Sequence, residues 1–362
     1  MFVMGTTFTN WMKLLWQNRF KVSPRRIHKV ILITIVIIIL TPFSLVERLF
    51  IHRRVRKTKL DYPPVFILGH WRSGTTHLHN LFIRDTRFAY PNMVDTLFPN
   101  HMILTTWLLR PLLSFALPNK RPMDNMKLSV DVPGEHDWAI SNLCLMSPYS
   151  GAYFPNHWEE YNHLANFEEA TSHEKATYIQ ALRFYLQKLQ YKYPGRQIVL
   201  KSPMDTARAK LLYEIFPDAK FVHIIRNPYE VFLSTKKLHT KNKDIYPLQE
   251  DDRDLDEFVF KTYEDMFEVY FRDSKLIPED QLIEIHFEDL TKDRVGVMRK
   301  IYNHLDLPDF EVVAEDLQNY VDSLRDYQRD AYTIEPELKS KIYDRLNFTI
   351  DKWNYSVKVK NQ

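Results

Sequence analysis

The 362-residue sequence predicts an α/β fold in which helices flank a P-loop-like parallel sheet. Three observations point there. Short continuous apolar runs at 65–68, 197–200, 219–225 and 281–287 read as buried strands. Helical patterns follow the first three, the alternation that builds a parallel sheet. Glycine is scarce, seven in the chain against an ordinary share of about 7%, yet Gly69 and Gly74 fall within six residues directly after the first strand.

Composition supports a folded core. Apolar residues make up 45% and charged residues 26%, which excludes a disordered, collagen-like or disulfide-stapled chain. The single cysteine, Cys144, permits neither an internal disulfide nor a cysteine-based zinc site. It reads as a buried core residue in a reducing compartment. The net charge of +3 conceals an asymmetry: residues 1–60 carry 12 Lys/Arg and one acid, Glu47, whereas the remainder is net negative by 8. An acidic body argues against nucleic acid as a partner.

The basic segment encloses an apolar run at 30–46 with Pro42 inside it and cations on both sides. Seventeen residues is the lower limit for crossing a bilayer, and cations at both flanks set no topology. The pattern suits a segment that dips into or lies on an anionic leaflet, with Trp11 and Trp16 at the interface. A core strand or a helix packed on its own domain is the competing reading. The organisation expected is therefore 1–60 as a membrane-associating segment and linker, and 61–362 as the α/β domain. A second apolar stretch, 103–117, is broken by Arg110 and Pro111 and reads as a pair of core or pocket-lining helices.

The first strand runs into Gly69-His-Trp-Arg-Ser-Gly74-Thr75-Thr76 and then a helical pattern. Backbone N–H groups and a helix N-terminus in that arrangement cradle a phosphate. The spacing is that of a Walker A loop, but Thr75 stands where its lysine belongs, and the cation has moved to Arg72. Without that lysine, a nucleoside triphosphatase or nucleotide kinase is disfavoured. Lys201-Ser202-Pro203 follows the second strand, where such an enzyme needs a magnesium-binding acid. The third strand ends in Arg226-Asn227-Pro228, and a helix starting at Pro228 carries Ser234 about two turns in. An arginine fork with a hydroxyl is a suitable receptor for a dianionic phosphate.

FILGHWRSGTTHLHNLF, LKSP and FPDAKFVHIIRNPYEVFLST, in this order, resemble the nucleotide-binding signature of sulfotransferases, and FEDLTKD resembles the segment after their last core strand. The likeness covers residues 63–305 and implies the sulfotransferase fold. It implies 3′-phosphoadenosine 5′-phosphosulfate (PAPS) as donor, adenosine 3′,5′-bisphosphate as product, and no metal. By the same analogy Arg72, Ser73, Gly74, Thr75 and Thr76 hold the 5′-phosphosulfate, and Arg226 and Ser234 the 3′-phosphate. Lys201 and Arg72 are the candidates for stabilising the leaving oxygen.

Two departures matter. Pro203 occupies the position of the catalytic histidine of cytosolic small-molecule members. Their glycine-containing basic loop near the C-terminus has no evident counterpart beyond the stretch 325–332. The nearer resemblance is to the bacterial, membrane-associated group that uses a carboxylate base. Glu135, placed in the first turn of a helix, is then the candidate base, or it merely complements the helix dipole. His136 is second, since an imidazole titrates near neutral pH. His70, inside the loop, is third and reads rather as packing or touching the cofactor.

The acceptor is less legible. Apolar residues at 97–117 and aromatic residues at 149–161 form either a pocket with a lid or plain core. With the N-terminal segment they favour a lipophilic alcohol (a sterol, steroid or lipid), ahead of a glycan hydroxyl. The expected location is the cytoplasmic face of a bacterial membrane. Sequons at Asn347 and Asn354 keep a Golgi-type lumenal protein as the alternative. A non-enzymatic membrane scaffold is a further rival, disfavoured by the intact Arg72, Lys201, Arg226 and Ser234.

Overall fold

A computed structural model describes residues 2–116, 129–324 and 334–355. Among them the strands are β1 (Val65–Leu68), β2 (Phe88–Ala89), β3 (Gln197–Lys201), β4 (Lys220–Ile225) and β5 (Leu282–His286). The longer helices are α1 (Phe8–Gln17), α2 (Ile27–Phe50), α3 (Thr75–Phe82), α4 (Met102–Ala116), α5 (His136–Cys144) and α6 (Ser172–Lys192). They continue with α7 (Pro228–Asn242), α8 (Leu255–Asp273), α9 (Arg294–His304), α10 (Glu311–Asp322) and α11 (Pro336–Lys352). The chain divides into two compact units: Met1–Pro63 with Arg87–Leu200 and Lys241–Arg253, and Pro64–Thr86 with Lys201–Thr240 and Asp254–Gln362.

The second unit holds the glycine-containing loop after β1. Its sheet is β1-β4-β5, all parallel, with Val65 opposite Lys220 and Phe221 opposite Leu282. All four residues of β1 are buried, the mark of a strand covered on both faces. Pro228 opens α7, its fixed φ and missing N–H suiting a first helical turn. α11 docks on α8, where the Tyr263 hydroxyl donates to Thr349 Oγ1 at 3.2 Å.

The first unit is mainly helical around the parallel pair β2–β3, with Phe88 opposite Gln197. α6 begins with a capping box in which Thr171 and Glu174 satisfy each other's backbone N–H groups. α2 runs for 24 residues, beyond the apolar run on both sides, and continues through Pro42. α4 is one helix through Pro111 rather than the expected pair. Proline there removes one backbone hydrogen bond but does not end the helix.

Two further expectations are corrected, and the core alternative holds for one stretch. Trp11 is fully buried and donates from Nε1 to Thr34 Oγ1 of α2 at 2.9 Å, so only Trp16 is outward. Cys144 is half-buried at the end of α5, donating weakly to the Ile140 carbonyl. The aromatic stretch 149–161 is core: Tyr149, Tyr153, Phe154, Trp158 and Tyr161 are all buried. Trp138 stacks on Phe2 and tilts against Tyr149.

Candidate active site

The loop after β1 is bent by its own backbone. Gly69 has φ +145° and its N–H donates to Thr206 Oγ1 at 2.8 Å. Arg72 sits at φ +68°, a left-handed conformation uncommon outside glycine. The N–H and Oγ of Ser73 both donate to the His70 carbonyl, at 3.1 and 2.7 Å, and close the turn. Gly74, at φ +102°, is the N-cap of α3 and offers its first turn no side-chain acceptor. N–H groups at a helix start need an acceptor from outside, a role that suits an anion. Thr75 is buried and Thr76 half-buried in that first turn.

Residues distant in sequence meet here. Arg226, at the end of β4, donates from Nη1 to the Arg72 carbonyl at 2.8 Å and from Nε and Nη2 to Glu230 at 3.0 and 2.6 Å. Arg72 Nε donates to Ser234 Oγ at 2.9 Å. The residues assigned to the two phosphates are thus hydrogen-bonded to one another. Lys201 ends β3 and is buried, as is Ser202. The capless helix start beside Arg72 and Ser234 suits an anion, while the Arg226 fork is held by the Glu230 carboxylate and the Arg72 carbonyl.

Sequence reasoning missed what braces this cluster. The Phe287 ring lies under the Arg226 guanidinium, 4.5 Å from centroid to Cζ, and also fills the space beside Gly74. Glu288 accepts from the Asn227 N–H at 3.3 Å and from the Tyr355 hydroxyl at 2.6 Å. Burial and that carboxylate push the Tyr355 hydroxyl well above its ordinary range. FEDLTKD therefore supports the arginine motif. Its place directly after the last strand was the available signal.

His70 is buried against Trp71, Tyr263 and Phe267. Its Nδ1 pairs with the Trp71 carbonyl at 2.9 Å, and burial holds its pKa down at about 4. It packs as a neutral ring. Glu135 and His136 belong to the other unit. Glu135 is the N-cap of α5 rather than a first-turn residue, and its carboxylate accepts from the Tyr149 hydroxyl at 2.7 Å. His136 follows it in the first turn and is fully buried. The stretch 325–332 lies outside the described residues.

Residues 63–311 match the Sulfotransferase family. The chain belongs to that family. It is a sulfotransferase enzyme, and the family's sulfuryl donor is PAPS, so the triphosphatase and scaffold readings fall away. The sulfotransferase is 34% identical over 352 residues to omega-hydroxy-beta-dihydromenaquinone-9 sulfotransferase Stf3 of Mycobacterium bovis, covering 97% of this chain and 90% of that one. The Mycobacterium tuberculosis protein of the same name matches with the same values. Among solved structures, sulfotransferase STF9 of Mycobacterium avium superposes with a TM-score of 0.67 at 18% identity, over 86% of this chain and 81% of that one. Sulfotransferase STF1 of Mycobacterium tuberculosis gives 0.63 at 15% identity, over 94% and 93%. At those identities the likeness shows the fold.

Proposed function

We propose that this sulfotransferase moves the sulfuryl group of PAPS to the hydroxyl of a lipophilic alcohol held at a membrane. The supporting observation is the near full-length identity to an enzyme named for a hydroxylated menaquinone. The proposed site is the cytoplasmic face of a bacterial membrane, consistent with the mycobacterial relatives and the cationic N-terminal segment.

The donor supplies an activated sulfuryl group. Arg72, Ser73, Gly74, Thr75 and Thr76 hold its 5′ end, and Arg226 and Ser234 its 3′-phosphate. Lys201 and Arg72 donate to the oxygen on which charge builds, a contribution that grows toward the transition state. Esterification releases the acceptor's hydroxyl proton, and Glu135 is the carboxylate proposed to take it, with Tyr149 orienting the carboxylate. His136 is the second choice, because a fully buried ring reaches an incoming hydroxyl less readily.

Thermal stabilisation by adenosine 3′,5′-bisphosphate, with ATP and GTP as controls, tests the nucleotide site. A ligand at about 100 times its Kd adds roughly 2.7 kcal/mol, and the shift should be independent of magnesium. Arg72→Ala and Lys201→Ala should each lower turnover by about 10²–10³ with the fold retained. Glu135→Gln should lower kcat while sparing bisphosphate binding. Near-normal rates in these variants would overturn the roles. Sulfated product from polysaccharide, with none from lipid extracts, would overturn the acceptor class.

A further inference from the structure

We infer that α2 lies in the plane of an anionic phospholipid leaflet, as a monotopic face of the first unit, and does not cross the bilayer. This rests on the membrane association proposed above and goes beyond it in topology. At 24 residues the helix is roughly 36 Å long, enough to span. It exposes a continuous apolar side that includes Ile31, Ile35, Ile38, Ile39, Phe43 and Phe50.

The opposite side is committed to protein. Ile33, Ile37 and Leu40 are buried, and Leu40 packs with Val94, Phe98, Leu109 and Val130. Charge ties both ends of the helix to the same unit. Just before its first turn, buried Arg26 donates to the Lys243 and Pro247 carbonyls at 3.1 and 3.0 Å and pairs with Asp244 at 3.1 Å. In its last turns, buried Glu47 pairs with buried Lys188 and accepts from the N–H groups of Ile103 and Leu104 at 2.9 and 3.0 Å. A spanning helix places its ends in opposite aqueous phases with lipid around it. That would break one of these clusters or draw its charges into hydrocarbon, both of which are costly. Lying in the interface keeps one stripe on protein and the other in acyl chains.

The adjoining helices and the charge pattern name the occupant. α1, joined to α2 through Trp11, leaves Trp16 71% exposed, and α4 leaves Trp107 75% and Phe115 95% exposed. Tryptophan favours the headgroup boundary. The one acid of residues 1–60 is the buried, paired Glu47, so the exposed charge of the segment is cationic: Lys13, Arg19, Lys21, Arg25, Arg48 and Arg53 among others. Cations beside an apolar face select anionic lipid over a neutral surface.

Flotation of the full chain with phosphatidylglycerol or phosphatidylcholine vesicles tests the partner. Binding is expected with the anionic vesicles, weakened about tenfold or more in Ile35→Glu/Ile39→Glu, which removes apolar insertion. The bisphosphate thermal shift of that variant should be unchanged, which reports its folding. Topology is read from single cysteines, Gln17→Cys or Arg53→Cys in a Cys144→Ser background, labelled with a membrane-impermeant maleimide. On inverted membrane vesicles and spheroplasts of expressing bacteria, both positions should react from the same side. Reaction from opposite sides overturns the in-plane placement. Absence of flotation, or a dimer that the double variant dissolves in its place, overturns the lipid partner. Detergent-dispersed lipid alcohol still turned over without flotation would sink this face alone. Flotation without turnover of any lipid alcohol would sink the acceptor reading alone.

Discussion

Gly74 carries two requirements at once. Its φ of +102° costs an L-residue roughly 1–2 kcal/mol, and an added Cβ would lie 2.3 Å from the Phe287 ring. That ring is also the surface under Arg226. Gly74→Ala should therefore lower both thermal stability and affinity for adenosine 3′,5′-bisphosphate. Phe287→Leu should spare most of the stability but weaken the bisphosphate several-fold, since a cation over an aromatic face is worth about 0.5–2 kcal/mol. Titration calorimetry on the two variants checks this. An unchanged affinity in Phe287→Leu would mean that Arg226 needs no brace. The motif around Gly74 was plain in the sequence because glycine spacing encodes backbone shape locally. The Phe287 contact was not, because it joins positions more than 200 residues apart.

At the scale of elements, α2 depends on one buried carboxylate. Glu47 accepts from the first N–H groups of α4 and pairs with Lys188, whose ammonium burial pulls toward the neutral form while Glu47 opposes it. Glu47→Ala leaves Lys188 buried without its carboxylate and should cost about 3–5 kcal/mol. Replacing both, as Glu47→Leu with Lys188→Met, should recover most of that loss. About 1 kcal/mol would remain for the uncapped start of α4. Urea unfolding of the three proteins decides it. If the double variant were as unstable as the single one, the ion pair would not be the reason. Hydropathy located α2 but concealed this, since a lone glutamate at the end of an apolar run looks like a flanking charge.

For the whole molecule, stability should fall as pH falls. Burial lowers His70 and His101 to about 4, so the unfolded chain binds more protons between their ordinary pKa near 6.5 and that value. The stabilisation is complete above about 6.5 and is lost on acidification through that window, at of order 3 kcal/mol for each ring. Glu284 extends the trend. Burial pushes its carboxyl up, but His223 and Tyr270 outweigh that and hold it at about 2, so its contribution is lost below the usual carboxylate range. Urea midpoints from pH 7 to 4 should decline throughout, and His101→Gln should flatten the slope. A midpoint constant over that range would mean that the two rings are not held neutral.

The strands at 65–68 and 197–200 (the latter one residue longer in the structure, through Lys201), the glycine loop after the first strand, the place of Arg226 at a strand end and the helix opening at Pro228 were determined by sequence alone. Each is a local pattern in which neighbouring residues set the backbone or present a charge at its end. Tertiary structure decided the rest. It took Trp11 inward and made the 149–161 aromatics core. It joined Arg72 to Ser234 and placed Phe287 between Gly74 and Arg226. It set Glu135 at a helix cap beneath Tyr149 and bound both ends of α2 to one unit. Those outcomes depend on which distant segments meet, and burial and pairing, unlike backbone propensity, are not written in the spacing of neighbours.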